Sequence, residues 1–168
     1  MKIKDRFKGM IYGWKHGAEC DNLTGLHTRS FLEYELWFNE SQRAKRYSHP
    51  LSIVLIDLDG LKQVNDSPQG GHAAGDNFLK ALTIGITRQI RISDILIRYG
   101  GDEFLLVLPE TDIVQARMLM DKICEHMPVG IEFSFGVAEW KEEFSLEMLC
   151  DEADKELYEQ KREKSRRR

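Results

Sequence analysis

Gly100-Gly101-Asp102-Glu103 separates two short apolar runs, Ile95 to Tyr99 and Phe104 to Leu108. Both runs have the length and the composition of strands, and a four-residue connection led by two glycines is typical of a β-hairpin. Because glycine has no Cβ, a phosphate or a flat ligand can approach the backbone of such a turn closely. These residues therefore predict a hairpin whose tip carries two carboxylates, Asp102 and Glu103.

Two further carboxylates, Asp57 and Asp59, lie at the end of the apolar run from Leu51 to Leu58, which predicts a buried strand. Ligands commonly bind beyond strand ends. If the two acidic segments are adjacent, two carboxylates ~4 Å apart repel by about 4 kcal/mol at an effective dielectric near 20. Lys62 and Arg98 are the only basic residues within either segment, which favours compensation by a divalent cation such as Mg²⁺. The alternative is a pair of ordinary acidic surface loops.

The other segments predict helices and one more strand around these two features. Helices are expected over residues 29–46, 76–91, 111–127 and 145–161, a loop over 59–75, and a strand over 130–140. Asp76 is also a natural N-cap for the second of these helices. The order helix, strand, helix, hairpin, helix, strand, helix predicts an α/β sheet with mixed strand directions.

The composition is that of one globular domain. The chain has 168 residues, of which 42% are hydrophobic and 31% charged, and this length suffices for a single core. No apolar run approaches the ~20 residues of a membrane-spanning helix, and Met1 to Cys20 lacks the apolar centre of a secretory signal. The three cysteines, Cys20, Cys124 and Cys150, form no CxxC pair. Their odd number favours reduced thiols in a cytoplasmic protein over a zinc site or disulfides.

The net charge of −4 is unevenly distributed along the chain. Residues 161–168 hold six basic groups and one acidic group, which leaves 18 basic against 27 acidic groups, or −9, in residues 1–160. An acidic body is unlike a nucleic-acid-binding domain, whose basic residues cover one face. The basic tail either contacts phosphates or is a solvated, frayed end.

Six segments in order along the chain resemble the GGDEF family of diguanylate cyclases. The hairpin segment is Arg98-Tyr99-Gly100-Gly101-Asp102-Glu103-Phe104. The others are Asp21-Asn22-Leu23-Thr24-Gly25-Leu26 with Arg29, residues 56–66, Gly71-His72-Ala73-Ala74-Gly75-Asp76, Ser134-Phe135-Gly136-Val137-Ala138, and the stretch from Ala153 to Lys161. Together they cover about residues 21–161.

This resemblance implies an α+β fold similar to class III nucleotide cyclases, with a central, mostly antiparallel five-stranded sheet flanked by helices. It implies the condensation of two GTP into cyclic di-GMP with release of two pyrophosphates. A 3′-hydroxyl attacks an α-phosphate, and two Mg²⁺ ions, with Mn²⁺ as an alternative, can hold the attacking and leaving oxygens. It also implies a homodimer, because each domain holds one GTP, and an upstream sensor domain in a longer chain.

The resemblance assigns roles to individual residues. The implied metal ligands are the Asp57, Asp102 and Glu103 carboxylates and the Leu58 carbonyl. Asp102 or Glu103 would help to deprotonate the 3′-hydroxyl, and Lys62 is the third implied catalytic residue. The implied phosphate and substrate contacts are Lys62, Lys161, the amides around Gly60 and Leu61, and the turn glycines Gly100 and Gly101. Asn65 and Asp76 would read the guanine edge, and a carboxylate suits the N1–H and N2–H donors that guanine presents.

Arg91 and Asp94 form an RxxD sequence ahead of the hairpin. In the family this spacing marks an inhibitory site for the product, and arginine can stack on guanine or bind phosphate with two hydrogen bonds. The alternative is an ordinary surface ion pair.

Three positions depart from the family pattern. Thr28 replaces an asparagine, the loop 67–70 is two residues longer than usual, and Lys164-Ser165 stands where a Gly-Arg pair would bring an arginine to phosphate. We expect the longer loop to bulge outward. Arg166 either replaces the missing arginine or the contact is absent.

The expected organisation is a lead-in or linker helix over residues 1–20, the catalytic domain over 21–163 and a basic tail over 164–168. Two alternatives to an active cyclase stay open: a catalytically weak receptor for cyclic di-GMP through Arg91 and Asp94, and a related cyclase that makes a mixed dinucleotide. Neither a nucleic acid nor a membrane is an expected partner of this segment.

Overall fold

The computed structural model describes residues 20–67 and 70–167. Most of the predicted lead-in therefore lies outside the described residues, as do Pro68 and Gln69 of the longer loop and Arg168 of the tail. The strands are β1 (His27–Thr28), β2 (Leu51–Leu58), β3 (Ile95–Arg98), β4 (Glu103–Pro109) and β5 (Phe133–Glu139). The helices are α1 (Arg29–Phe31), α2 (Trp37–Tyr47), α3 (Leu61–Asp66), α4 (Gly71–Thr87), α5 (Ile113–Glu125) and α6 (Leu146–Arg167), with a π-helical turn (Leu32–Leu36) between α1 and α2.

The five strands form one sheet in the order β1-β3-β4-β2-β5. β2 lies between β4 and β5 and is antiparallel to both, and β3 and β4 form the predicted antiparallel hairpin. Only the short β1, paired with β3, runs parallel to its neighbour. The expectation of a mostly antiparallel five-stranded sheet flanked by helices is confirmed.

The two faces of the sheet bury separate apolar clusters, because successive strand residues point to opposite sides. On one face, residues such as Val54, Ile56 and Phe104 pack under α4 and α5. On the other face, residues such as Ile53 and Leu105 pack under α2 and α6. Asp57 continues the second series by alternation, so the strand that fills both cores also directs this carboxylate toward α6.

A glycine allows α6 to lie close to the sheet. A Cβ at Gly136 of β5 would stand 1.9 Å from the Ala153 carbonyl oxygen of α6. Any side chain there would push the helix outward. This close approach brings the end of α6 to the end of β2.

The loop expected over residues 59–75 is wrong. Gly60, at a left-handed φ of +81°, starts the short helix α3, and α4 begins at Gly71 rather than Asp76. Asp76 therefore lies inside α4 and is not its N-cap. Six residues rich in polar side chains carry little helical periodicity, so α3 depends on its packing against α4.

The described part of the basic tail is helical, because α6 continues without a break to Arg167. The boundary expected between residues 163 and 164 falls inside this helix. Within the described ranges, no helix is both long enough and apolar enough to cross a membrane. Cys20, Cys124 and Cys150 are free thiols.

Candidate active site

The sheet register places the acidic segments side by side. Asp57 of β2 is the direct cross-strand partner of Glu103 in β4 and of Ser134 in β5. The Leu58 amide donates to the Asp102 carbonyl oxygen at 3.0 Å, which joins the hairpin tip to the end of β2. Directly paired residues share a face of the sheet, so Glu103, Asp57 and Ser134 form a row across β4, β2 and β5. We call this end of the three strands, with Asp59 and Asp102, the acidic edge.

Like charges and burial act together on Asp57. Its side chain is 14% exposed. Burial raises the pKa of Asp57 above its usual value; the Lys161 ammonium opposes this, and the Asp102 and Asp59 carboxylates add to it. The carboxylate therefore lies where a second cation would be favoured.

The acidic edge has protein counter-charges, contrary to the sequence-based expectation. Lys161 Nζ lies 2.6 Å from Asp57 Oδ2, and Lys164 Nζ lies 2.7 Å from Asp59 Oδ2. Both lysines come from α6, about 100 residues away along the chain. Both lysines lie outside the two acidic segments, and their contacts depend on the packing of α6.

No three acidic, histidine or cysteine side chains among residues 20–67 and 70–167 are already grouped as a metal centre. The edge instead presents oxygen donors of the kind that Mg²⁺ prefers, and two lysine ammonium groups neutralise two of its carboxylates. These donors fit a divalent cation chemically, with Lys161 as a cationic stand-in at Asp57.

Asn65 lies in α3, the short helix that follows the end of β2, and its side chain carries an unsatisfied hydrogen-bond acceptor. Its Oδ1 is buried and has no hydrogen-bond partner. The amide packs on Gly75 of α4, where an added Cβ would stand 2.0 Å from Oδ1. Asp76, the next residue of α4, is exposed. The structure thus brings Asn65 to the turn of α4 that carries Asp76.

The hairpin tip is braced from its base. The Gly100 amide donates to the Glu103 carbonyl at 3.0 Å, and a Cβ on Gly100 would stand 2.5 Å from Glu103 Oε2. Gly101 has open space around its Cα, and its carbonyl accepts from Arg98 Nη2 at 2.8 Å. Lys62 is exposed on the first turn of α3, just after Gly60 and Leu61.

A second bracing contact links the hairpin to the start of the described chain. Arg98 Nη1 donates to Asp21 Oδ1 at 2.9 Å, and the Thr24 hydroxyl donates to the same oxygen at 2.6 Å. Burial would raise the pKa of Asp21, but the hydrogen bonds from Thr24 and Arg98 outweigh it and lower that pKa. The Asp21–Thr24 contact is a local side-chain bond within a turn-rich segment, whereas the Arg98 partner, 77 residues away, left no local signal.

Arg91 and Asp94 form a turn after α4. The Arg91 amide donates to Asp94 Oδ2 at 2.8 Å, and the Asp94 amide returns a bond to the Arg91 carbonyl at 3.1 Å. Asp94 is buried and Arg91 is exposed. The aspartate therefore holds the turn and leaves the arginine side chain on the surface.

Comparison with known proteins identifies the family. The sequence profile of the family described as "Diguanylate cyclase, GGDEF domain" matches residues 18–167. The chain belongs to the GGDEF-domain family. This GGDEF domain is 35% identical over 151 residues to diguanylate cyclase DgcS of Shewanella oneidensis, a match that covers 86% of the chain and 50% of DgcS. The chain thus spans about half the length of this curated relative.

Solved structures agree with the assignment. The fold matches diguanylate cyclase SiaD of Pseudomonas aeruginosa, crystallised with its activator SiaC, with a TM-score of 0.78 and 30% identity over 96% of this chain and 66% of SiaD. The GGDEF domain of DgcB from Caulobacter crescentus, crystallised with cyclic di-GMP, matches with a TM-score of 0.76 and 26% identity, over 86% of this chain and 91% of that domain. The GGDEF fold is therefore shown both by sequence and by structure.

Proposed function

We propose that this chain is the catalytic domain of a diguanylate cyclase that condenses two GTP into cyclic di-GMP. The observation that carries the proposal is the register of β4, β2 and β5, which places Asp57 beside Asp102 and Glu103 at the acidic edge. That edge combines carboxylates with the Lys161 and Lys164 ammonium groups, and the helix that follows it carries the unsatisfied Asn65 amide oxygen. The whole protein's substrates and partners are part of this proposal.

The acidic edge suits a divalent cation bound with the substrate. We infer that Asp57, Asp102, Glu103 and the Leu58 carbonyl supply its ligands, with two Mg²⁺ ions per site and Mn²⁺ as an alternative. When bound, such cations stabilise charge on the attacking and leaving oxygens of a phosphoryl transfer. The raised pKa of Asp57 supports this assignment, because an added cation would favour the ionised carboxylate.

Basic and backbone groups of this chain would hold the triphosphate. Lys62 projects from the turn that follows the acidic edge, beside the amides around Gly60 and Leu61. Lys161 neutralises Asp57 at 2.6 Å and is 39% exposed, so it can exchange this carboxylate for a phosphate oxygen without losing an anionic partner. The turn glycines Gly100 and Gly101 would let a phosphate approach the hairpin backbone.

Guanine is the base that the pocket residues favour. Asn65 Oδ1 is a buried acceptor without a donor, and leaving such a group unpaired is unfavourable by about 1–3 kcal/mol. Guanine offers the N1–H and N2–H donors that this oxygen and the Asp76 carboxylate can accept. Adenine lacks the N1 donor, which disfavours a mixed dinucleotide product.

The reaction needs two copies of the domain. The 3′-oxygen of one GTP attacks the α-phosphorus of the other and the pyrophosphate leaves with the bonding electrons; repetition in the opposite sense closes the ring and releases the second pyrophosphate. Asp102 or Glu103 would accept the hydroxyl proton. Since each domain holds one nucleotide, we propose a homodimer, formed under the control of an upstream sensor or an activator such as the one crystallised with SiaD.

The decisive experiment incubates the protein with GTP and Mg²⁺ and measures cyclic di-GMP by mass spectrometry across a range of protein concentrations. We expect product to form with a rate that rises with the square of concentration at low occupancy of the dimer. Asp57→Asn should abolish it, while the exposed Asp121→Asn should not. Absence of product at high concentration, from protein shown to bind GTP, would refute the cyclase.

Product binding at Arg91 and Asp94 is the second part of the proposal. The Asp94 carboxylate fixes the turn and exposes the Arg91 side chain, and the related DgcB domain was crystallised with cyclic di-GMP. We expect Arg91→Ala to weaken cyclic di-GMP binding in calorimetry and to relieve inhibition, while the nearby exposed Arg88→Ala leaves both unchanged. Equal affinity of the two variants would remove this site. Strong Arg91-dependent binding without any cyclase activity would instead favour the receptor alternative.

A further inference from the structure

Lys164, at a position that departs from the family pattern, joins the carboxyl-terminal part of α6 to the rest of the domain. We propose that Lys164 is a positioning residue that anchors α6 to the acidic edge and so holds Lys161 at the nucleotide site; this rests on the function proposed above. Its ammonium donates to Asp59 Oδ2 at 2.7 Å and to the Phe133 carbonyl at 2.5 Å. One side chain therefore joins the end of β2, the start of β5 and the end of α6.

Asp59 is fully engaged as a structural carboxylate. The Ser134 hydroxyl lies 3.0 Å from its Oδ1 and 3.1 Å from its Oδ2, and Lys164 occupies Oδ2. The Asp59 amide also donates to the Glu132 carbonyl at 3.0 Å. Asp57 and Asp59, two residues apart, thus differ in function: Asp57 has one exchangeable partner, whereas Asp59 is held from several sides.

The contacts of Lys164 complete a regular series along α6. β5 is an edge strand, and an edge leaves backbone groups without strand partners. Glu156 accepts from the Val137 amide at 3.0 Å, and Gln160 accepts from the Phe135 amide at 2.7 Å. Lys164 then donates to the Phe133 carbonyl. Side chains four residues apart on α6 satisfy backbone groups two residues apart on β5, so helix and strand run alongside each other until Lys164.

This series explains how Lys161 is held. Lys161 lies between Gln160 and Lys164, and therefore on a helical turn fastened at both sides. Helix ends fray when their last turn lacks tertiary contacts. Without Lys164, Lys161 would be held beyond Gln160 by its own contact with Asp57, the contact that it would give up on binding a phosphate.

Position 164 is where the sequence departs from the Gly-Arg pair of the family, and the helix continues through it to Arg167. Two explanations of Lys164 are then distinct. It acts through Asp59 as an anchor, or it binds a phosphate directly in place of the missing arginine. The observed pairing with a 14%-exposed carboxylate and a backbone carbonyl favours the anchor.

The test compares Lys164→Met and Lys164→Arg with Lys155→Met, which removes an exposed ion pair of the same helix. The first readout is amide hydrogen exchange of the nucleotide-free protein. We expect Lys164→Met to speed exchange in residues 157–167 by about tenfold, and Lys164→Arg and Lys155→Met to leave it near wild type. Unchanged exchange in Lys164→Met would overturn the anchor without bearing on the cyclase.

The second readout is steady-state kinetics with GTP. We expect Lys164→Met to raise KM about five- to tenfold with kcat within about twofold. The reason is that misplacing Lys161 weakens substrate binding, and a loss of uniform binding raises KM and leaves kcat unchanged. In an Asp59→Asn background, which leaves Lys164 its bond to the Phe133 carbonyl, adding Lys164→Met should raise KM by a smaller factor than it does in the wild type. Fully multiplicative effects would show direct phosphate contact and overturn the proposal. If the wild-type protein has no cyclase activity but Lys164→Met still exchanges faster than the wild type, only the cyclase is refuted.

Discussion

Gly75→Ala should impair GTP use through a residue that it does not replace. The added Cβ would stand 2.0 Å from Asn65 Oδ1 and 3.0 Å from its Cγ. The first distance is shorter than real Cβ contacts, the second is tighter than most of them, and the amide lies between two packed helices. The Asn65 side chain must therefore turn away from its present position, in which its buried Oδ1 lacks a hydrogen-bond donor.

The magnitude follows from two opposing effects. Overpacking a buried site costs about 1–3 kcal/mol, whereas glycine to alanine within a helix gains roughly 0.5–1 kcal/mol. We therefore expect a net loss of about 1 kcal/mol in the free energy of unfolding. Losing one hydrogen bond to the base, about 0.5–1.5 kcal/mol, should raise KM for GTP by about two- to tenfold.

The assay measures KM by pyrophosphate release and stability by urea denaturation. Gly85→Ala is the matched control, since it lies in the same helix and is also buried, but its Cβ would meet the flexible end of Met127. We expect Gly85→Ala to leave KM unchanged. In an Asn65→Ala background, Gly75→Ala should have no further effect on KM. An undiminished effect in that background would refute the reasoning, because the clash would then act elsewhere.

The remaining predictions concern titratable groups. The pKa of Asp57 is raised in the folded state, so its contribution to stability is greatest below its unfolded pKa of 3.8 and falls as the pH rises through its folded pKa. Asp57→Asn should therefore raise Tm at pH 7 while abolishing activity. A lower Tm would contradict this. The pKa of Asp21 is lowered, so Asp21→Asn should lower Tm at pH 7 and have little effect once acid has protonated the wild type, as a pH series of melts can check. Burial raises the pKa of Cys150 to about 11, so iodoacetamide at pH 8 should label exposed Cys20 well before Cys150, and equal labelling rates by mass spectrometry would contradict the burial.

The strands were predictable because their signals are local. The Leu51 to Leu58 run is mostly apolar, and β2 has these same ends. Gly100 and Gly101, directly before Asp102, predict a turn from local residue preferences alone. α3 was missed because residues 61–66 carry too weak a pattern, and α4 was predicted to start five residues late since Asp76 resembles a helix cap.

The site was predictable only as a set of residue types. The adjacency of Asp57 and Glu103 followed from a plausible hairpin position, and the register confirms it. The partner of Asp57 could not be predicted, because Lys161 lies 104 positions away and reaches the carboxylate only when α6 packs on β5. The same holds for Asp59 with Lys164 and for Arg98 with Asp21.

The amino-acid order alone established the family, the strand and hairpin that carry the acids, and the chemistry that those acids can perform. It could do so because turn propensity, apolar periodicity and residue type act over a few neighbouring residues. Tertiary packing decided which charges meet: lysines from the last helix neutralise the acidic edge, and a glycine in α4 makes room for Asn65. Those contacts depend on the sheet register and on how closely two helices approach each other. No short segment of the chain encodes either of these.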